Sequence, residues 1–266
     1  MPEISSNGSA YEISGPVDAP VLVFVHGLGL NRQVWDIYIA RFDQRYRVLN
    51  YDLYGHGESV PPPGMPSLTM FSEQLLGLLD ELAIDRCSII GFSLGGMINR
   101  RFAMDHGERL QAMAILNSPH ERDPAAQKLV EQRALDSAAG GPGATLDATI
   151  ERWFTPGFIS DNPDYMATVR GWVLANDPEI YARCRRVLAF GVIELIRPQP
   201  PITHPTLVIT CENDSGSTPD MSQAIAGEIV GSQVVVAPAL QHMGLVENPS
   251  FFISAIAEYL EEVVDR

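Results

Sequence analysis

Short apolar runs recur along the chain at intervals that separate them by helix-like stretches. Residues 21–25 form a continuous aliphatic and aromatic run between Pro20 and His26, which is typical of a strand buried on both faces. Similar runs occupy residues 47–51, 87–91, 112–116, 206–210 and 234–237. We predict a buried β-strand at each of them.

Between these runs the spacing of apolar residues changes to that of an amphipathic helix. Residues 68–82 carry apolar side chains at intervals of three and four, and two further helices are predicted from Gly95 towards His106 and over residues 249–264. Alternating strands and helices favour an α/β fold with a doubly wound, mostly parallel sheet. Such sheets bind ligands beyond the carboxyl ends of their strands, so we expect the chemistry there.

The alternation stops between residues 118 and 205. This stretch contains short helical patterns interrupted by glycine and proline, with no buried-strand run. We therefore expect a core formed by residues 1–117 and 206–266, and a helical insertion over residues 118–205.

Charge and composition limit the classes of partner. The 266 residues are 45% hydrophobic and 19% charged, as in ordinary globular proteins, and the formal net charge is −15. This charge repels phosphate backbones and anionic lipid, so we expect neither a nucleic acid nor a membrane as partner. An anionic small substrate would need an arginine placed inside the pocket.

The amino terminus and the cysteines indicate the compartment. The first residues lack the basic and apolar segments of a signal peptide, no apolar run reaches membrane-spanning length, and the three cysteines are scattered. We expect a cytoplasmic protein with reduced thiols in its core.

A serine lies where a predicted strand meets a predicted helix. Ser93 is the centre of Gly91-Phe92-Ser93-Leu94-Gly95, and glycines on both sides permit a sharp turn that projects the hydroxyl outward. The amides at the start of the helix would favour an oxyanion at the same place. The bare pattern also occurs as a plain turn, but its position between strand and helix favours a catalytic nucleophile.

A serine hydroxyl needs a neighbouring base, and the chain has six histidines. His242 follows the last predicted strand and is the best candidate. His120 also follows a strand and stays open as an alternative, whereas His26 and His56 lie in glycine-rich loops that they are expected to brace. The other two occupy a helix end and the entrance to a strand.

The histidine in turn needs an acid, and Asp214 follows the strand predicted at residues 206–210. It gives the chain order serine, aspartate, histidine. Glu212 and Asp220 are close enough in sequence to compete for this role. The amides of Leu28, in the loop after the first buried strand, and Leu94 are the expected oxyanion donors. This chemistry requires no metal and no organic cofactor.

Together these segments resemble the α/β-hydrolase superfamily: residues 26–29, 55–59 and 91–96, with Asp214 and His242. The resemblance implies an eight-stranded sheet and makes residues 118–205 similar to the helical cap that covers the pocket in many members. It implies a serine hydrolase that acts on a small-molecule ester or lactone.

Two stretches of the insertion, residues 152–156 and 176–181, resemble the 3-oxoadipate enol-lactonases. This likeness implies a small lactone with a carboxylate tail, with Arg152 and Trp153 in the substrate site. The alternative is that Arg152 is a solvated surface cation and Trp153 only packs the cap. The chain departs from these lactonases at Tyr54, where they usually carry arginine, and at Arg183 and Arg185.

Other activities fit the same residues. A carbon–carbon bond hydrolase or a haloperoxidase-like perhydrolase would carry an identical triad. A non-catalytic ligand receptor of the same fold is a further alternative, which the complete triad disfavours.

Overall fold

The computed structural model describes residues 1–264, which contain an eight-stranded sheet. The strands are β1 (Glu3–Ile4), β2 (Ala10–Ser14), β3 (Val21–Val25), β4 (Arg47–Tyr51), β5 (Cys87–Phe92), β6 (Leu110–Leu116), β7 (Thr206–Cys211) and β8 (Gln233–Ala237). Their spatial order is β1-β2-β4-β3-β5-β6-β7-β8. Strands β3 to β8 pair in parallel, while β1 and β2 add an antiparallel edge. The predicted fold class is confirmed.

The apolar runs mark the buried strands. β1 and β2 lack such a run, which explains why the hydrophobic pattern did not predict these two strands. Every residue of β5 and β7 is buried, as expected for central strands with helices on both faces. The edge strand β1 is exposed, and β2 is only partly buried. An exposed edge needs no continuous apolar run, so the hydrophobic pattern does not reveal it.

Helices cover both faces of the sheet and fill the gap between β6 and β7. They are α1 (Asp36–Phe42), α2 (Leu68–Glu81), α3 (Leu94–Asp105), α4 (Pro124–Gly140), α5 (Leu146–Trp153), α6 (Pro156–Asp161), α7 (Pro163–Leu174), α8 (Pro178–Phe190), α9 (Pro219–Gly227), α10 (Gly244–Glu247) and α11 (Pro249–Val263). On α2 the predicted stripe faces the core: Leu68, Phe71, Leu75, Leu78 and Leu79 are fully buried.

Residues 118–205 form helices α4 to α8 without a strand. Four of these helices begin at a proline, which lacks an amide hydrogen and suits the first helical position. The same prolines interrupt the apolar pattern in the sequence. The helices are longer than the short pieces expected there, since α4 has 17 residues and α8 has 13.

The three cysteines are buried and free. Within residues 1–264 no helix has the length and apolarity needed to cross a bilayer. The parallel strands end on one side of the sheet, and the loops that follow β3, β5, β6, β7 and β8 lie at this edge.

Candidate active site

Ser93 lies in a strained turn between β5 and α3. Its φ of 56° and ψ of −110° fall in a region that residues with a side chain rarely adopt. The turn leaves no room for larger neighbours: a Cβ at Gly91 would lie 2.4 Å from the Gly95 carbonyl oxygen, and a Cβ at Gly95 would lie 2.2 Å from that of Val25. The glycines of the motif are therefore required by close packing of strand and helix.

His242 and Asp214 continue from Ser93 as a chain of hydrogen bonds. The Ser93 Oγ lies 3.2 Å from the His242 Nε2, and the His242 Nδ1 lies 2.6 Å from the Asp214 Oδ2. All three side chains are buried, with exposed fractions of 7%, 4% and 2% for Ser93, His242 and Asp214. In this arrangement the hydroxyl can donate to the imidazole, which donates to the carboxylate.

The surroundings of Asp214 keep its carboxylate ionised. Burial raises the pKa of Asp214, but His242 and hydrogen bonds from His242, Asn117 and the Gly216 amide outweigh burial and leave the pKa below its ordinary value. Oδ1 accepts from the amides of Gly216 and Ser217 at 2.8 and 3.0 Å. The carboxylate is thus fixed on both oxygens.

The competing residues take other positions. The Glu212 carboxylate accepts from the Ala239 amide, and Asp220 lies in the first turn of α9. His120 points its Nε2 at Glu228 Oε2, 3.3 Å away. The structure thus brings Ser93, His242 and Asp214 together and places the alternatives elsewhere.

Two backbone amides lie beside the serine. The Leu94 amide is the first of α3 and has no acceptor within its helix. Gly27 and Leu28 line the same cavity as Ser93, and a Cβ at Gly27 would lie 3.2 Å from the Cβ of Ser93. The loop after β3 and the start of α3 therefore meet beside Ser93.

A cavity of about 70 Å³ opens above Ser93 and is walled by both parts of the chain. Residues 1–117 and 206–264 contribute Gly27, Leu28, Phe92, Ser93, Gly216, Ser217 and His242, and residues 118–205 contribute Pro119, Arg122, Val130, Arg133, Thr149, Arg152, Trp153, Tyr181, Arg185 and Leu188. A cavity needs roughly 10–15 Å³ to hold one water, so the space suits only a small organic molecule.

Arg152 and Trp153, both expected in the substrate site, lie in this cavity wall. The indole of Trp153 lies 6.2 Å from the His242 ring between centroids. Burial lowers the pKa of Arg152 to about 10, and Asp214 opposes this effect. The low pKa reflects a guanidinium withdrawn from solvent, unlike the surface cation considered as an alternative.

Of the three residues that depart from the lactonase pattern, Arg185 lines the cavity, whereas Tyr54 and Arg183 do not. Tyr54 donates from its hydroxyl to the Asn7 carbonyl and does not line the cavity. Arg183 forms an ion pair with Glu179 on the surface of α8. Arg185, two residues later, lines the cavity and donates to the Tyr181 hydroxyl at 2.9 Å.

Several residues at the site were not selected from the sequence. Asn117, which holds Asp214, follows directly after β6, and a polar residue at a strand's carboxyl end is a signal that could have identified it. Arg122 and Arg133 carry no comparable signal. Arg133 lies on α4 and Arg122 lies just before it, and both reach the cavity because of how this segment packs on α8, which local sequence does not encode.

Comparison with known proteins places this geometry in a family. The profile described as the alpha/beta hydrolase family matches residues 22–255. The 3-oxoadipate enol-lactonase 2 of Acinetobacter baylyi is 32% identical over 247 residues, which cover 92% of this chain and 90% of that protein.

Solved structures show the same likeness. The enol-lactonase from Burkholderia xenovorans LB400 superposes with a TM-score of 0.87 at 29% identity, covering 95% of this chain and 96% of that one. A hydrolase from Pseudomonas aeruginosa PA01 superposes with a TM-score of 0.86 at 26% identity, covering 98% and 97%. The chain therefore belongs to the alpha/beta hydrolase family and is a hydrolytic enzyme.

Proposed function

We propose that the protein is a serine hydrolase that cleaves a small carboxylic ester or lactone through an acyl-enzyme on Ser93. His242 takes the proton of the Ser93 hydroxyl as its oxygen attacks the carbonyl carbon, and Asp214 orients and stabilises the imidazolium. The protonated His242 then donates to the leaving oxygen. Water, activated by the same imidazole, releases the acid. The observation that carries this proposal is the continuous hydrogen-bonded chain from Ser93 to Asp214, open to a cavity at one end.

The negative oxygen of the tetrahedral intermediate is assigned to the amides of Leu28 and Leu94. Both belong to backbone that converges on Ser93, and neither amide has a hydrogen-bond acceptor within the described residues 1–264. Preorganised amides of this kind act most strongly on charge that develops during the reaction.

Arg152 and Trp153 are assigned to substrate binding. A partly buried guanidinium beside the reacting groups suits a carboxylate on the substrate, and the net charge of −15 makes such a local cation necessary for an anionic ligand. The enol-lactonases among the relatives support a lactone as one member of the substrate class.

The division into core and cap follows from where the cavity walls originate. We assign residues 1–117 and 206–266 to the catalytic core and residues 118–205 to a cap, because the first group carries the reacting side chains and the second supplies the opposite wall. The cap then determines which substrates enter.

Replacement of Ser93 tests the reaction. Ser93→Ala should lose about four to six powers of ten in turnover of p-nitrophenyl acetate and of an enol-lactone, and should no longer react with a fluorophosphonate probe. Ser88→Ala is a matched control, since Ser88 is a buried serine of β5, the strand that leads to Ser93, and its hydroxyl makes no hydrogen bond within residues 1–264. Retained hydrolysis in Ser93→Ala would overturn the assignment.

The other reactions of this fold are separated by substrate. Vinylogous diketones report carbon–carbon bond hydrolysis, and hydrogen peroxide with an ester or a carboxylic acid reports perhydrolysis. We expect ester or lactone cleavage to have the highest kcat/KM. A higher value for a diketone would replace the proposed substrate class, and labelling of Ser93 without turnover of any substrate would favour a receptor.

A further inference from the structure

Four arginines line the cavity above Ser93 and bring a high positive charge into a small space. Arg122, Arg133, Arg152 and Arg185 all belong to its wall, and none of the lining residues is acidic. Within residues 1–264, no ion pair joins any of the four to a carboxylate.

Several other arginines of this acidic chain are paired with carboxylates. Arg32 contacts three carboxylates, and Arg101, Arg109, Arg170 and Arg183 each contact at least one. Within the described residues Arg41, Arg47, Arg86, Arg100, Arg186 and Arg197 also lack an ion pair, so the distinguishing feature of the cavity is that four unpaired guanidiniums share one wall. Arg185 is buried and the other three are partly buried. Unpaired cations withdrawn from solvent are costly, which indicates that a ligand supplies the missing negative charge.

Arg152 occupies one side of the reaction centre. Its Nη1 would lie 2.8 Å from a Cβ at Gly216, next to the loop that carries Asp214. The carboxylate of Asp214 is already engaged by His242, Asn117 and two backbone amides. Asp214 is close enough to favour the charge of Arg152, but no ion pair joins the two side chains, so Arg152 can bind an acidic group on the His242 side.

Arg185 approaches from the other side, through Tyr181. The Arg185 Nη1 donates to the Tyr181 hydroxyl, and Tyr181 packs against the loop after β3, since a Cβ at Gly29 would lie 3.0 Å from its ring. Arg185 is 7% exposed, and its charge adds to burial in lowering the pKa of Arg133. Both cations also lie close enough to Arg152 to disfavour its charge. This pair forms a second cationic position.

We propose that the substrate carries two separate acidic groups, one bound by Arg152 beside His242 and the other by Arg185 and Arg133 beside Tyr181. The proposal deepens the assigned function, on which it rests: the hydrolysed ester or lactone belongs to a compound that retains two carboxylates. One carboxylate would neutralise one of these positions and leave the other unpaired, so a dianion is the better match. The small cavity limits this compound to a short dicarboxylate.

Binding to Ser93→Ala tests the proposal without requiring turnover. Isothermal titration calorimetry would compare three probes: butyrate with one carboxylate, glutarate with two, and butyl phosphate with two charges on one group. We expect glutarate to bind about tenfold or more tightly than butyrate, because one added charge-assisted contact is worth at least that factor. Equal affinities, or tighter binding of butyl phosphate than of glutarate, would overturn the proposal.

Variants in the same background locate the two groups. Arg185→Gln should remove the advantage of glutarate and leave butyrate binding unchanged, whereas Arg152→Gln should weaken both. If a thermal melt shows that Arg185→Gln is unfolded at the temperature of the titration, Arg133→Gln gives the same test. The matched control is Arg186→Gln, since Arg186 is an exposed neighbour on α8 that does not line the cavity.

The outcomes distinguish this proposal from the assigned reaction. Selective binding of glutarate together with an unlabelled Ser93 in the wild-type protein would reject the nucleophile and retain the dianion site. Normal labelling with equal binding of butyrate and glutarate, or an Arg185→Gln variant that keeps the glutarate advantage, would reject the dianion site alone.

Discussion

Asn117 and His242 donate hydrogen bonds to the same oxygen of Asp214. The Asn117 Nδ2 lies 2.8 Å from Oδ2, and the His242 Nδ1 lies 2.6 Å from it. Asn117 follows β6, whereas Asp214 follows β7, so the contact joins two neighbouring strand ends. The amide of Asn117 thereby fixes the plane of the carboxylate that faces His242.

Loss of this amide should impair catalysis without preventing folding. Asn117 has a φ of 46°, which glycine adopts readily, so Asn117→Gly removes the donor and keeps the turn. With one hydrogen bond fewer, the pKa of Asp214 should rise, and the acid limb of the kcat–pH profile should move to higher pH. We expect kcat to fall by about tenfold with KM nearly constant, a loss comparable to one hydrogen bond to a charged group. An unchanged kcat and acid limb would show that Asn117 has only a structural role.

Replacement of Asp214 by asparagine should preserve the loop and disable the imidazole. The remaining Oδ1 can still accept from the amides of Gly216 and Ser217. The new amide would face His242 with a donor, which favours the tautomer that carries its proton on Nε2 and cannot accept from Ser93. By analogy with serine proteases, kcat should fall by about 10⁴-fold.

The matched control for Asp214→Asn is Glu212→Gln. Glu212 lies in the same loop, but its carboxylate accepts from the Ala239 amide at the surface. Steady-state kinetics should give a near wild-type kcat for Glu212→Gln. A large loss there, together with an active Asp214→Asn enzyme, would reassign the acid.

Gly216 should control the position of Arg152. A Cβ at this residue would lie 2.8 Å from the Arg152 Nη1, so Gly216→Ala must displace the guanidinium, while the flexible side chain can move without unfolding the loop. We expect KM for a carboxylate-bearing ester to rise by roughly tenfold, and kcat/KM for p-nitrophenyl acetate to change little. Gly227→Ala is the control, because no atom lies within 4 Å of its added Cβ. Equal effects on both esters would argue that Arg152 does not bind the substrate carboxylate.

The sequence was sufficient for the central sheet and for the selection of Ser93, Asp214 and His242 at its carboxyl ends, but not for Asn117. Buried parallel strands require continuous apolar runs, and a serine between strand and helix requires glycines at Gly91 and Gly95, so both features leave local signals. The hydrogen-bonded order of Ser93, His242 and Asp214 could be anticipated because each residue follows a predicted strand.

The helices of residues 118–205 could not be derived in the same way. Arg183 and Arg185 are two residues apart on α8, yet one pairs with Glu179 on the surface and the other lines the cavity. Helical periodicity gives the angle between them, but which face meets the core depends on the packing of α4 and α8. The identity of the cavity arginines therefore emerges only from the tertiary structure.

Two buried histidines should make stability depend on pH. The Nδ1 of His26 donates to the Gly27 carbonyl at 2.8 Å, and its Nε2 accepts from the Leu53 amide at 3.0 Å. A second proton on the ring would make Nε2 a donor that faces the donor amide of Leu53. Burial lowers the pKa of His26 to about 4 despite its backbone hydrogen bond, and Arg32 adds to this effect. Burial and the neighbouring His26 lower the pKa of His56 to about 3.

Both histidines stay neutral in the folded protein, while in the unfolded chain they take up protons near pH 6.5. The free energy of unfolding should therefore be unaffected by them above this pH and decrease as the pH falls from 6.5 towards 4. Each contributes a slope of about 1.4 kcal/mol per pH unit in that window. Urea unfolding from pH 8 to pH 4.5 measures the slope for the wild type and for His56→Gln. Below pH 6.5 the slope for the variant should be smaller by the contribution of one histidine, and above pH 7 the free energies of unfolding of the two proteins should differ by a constant. Identical slopes below pH 6.5 would mean that His56 is protonated in the folded state.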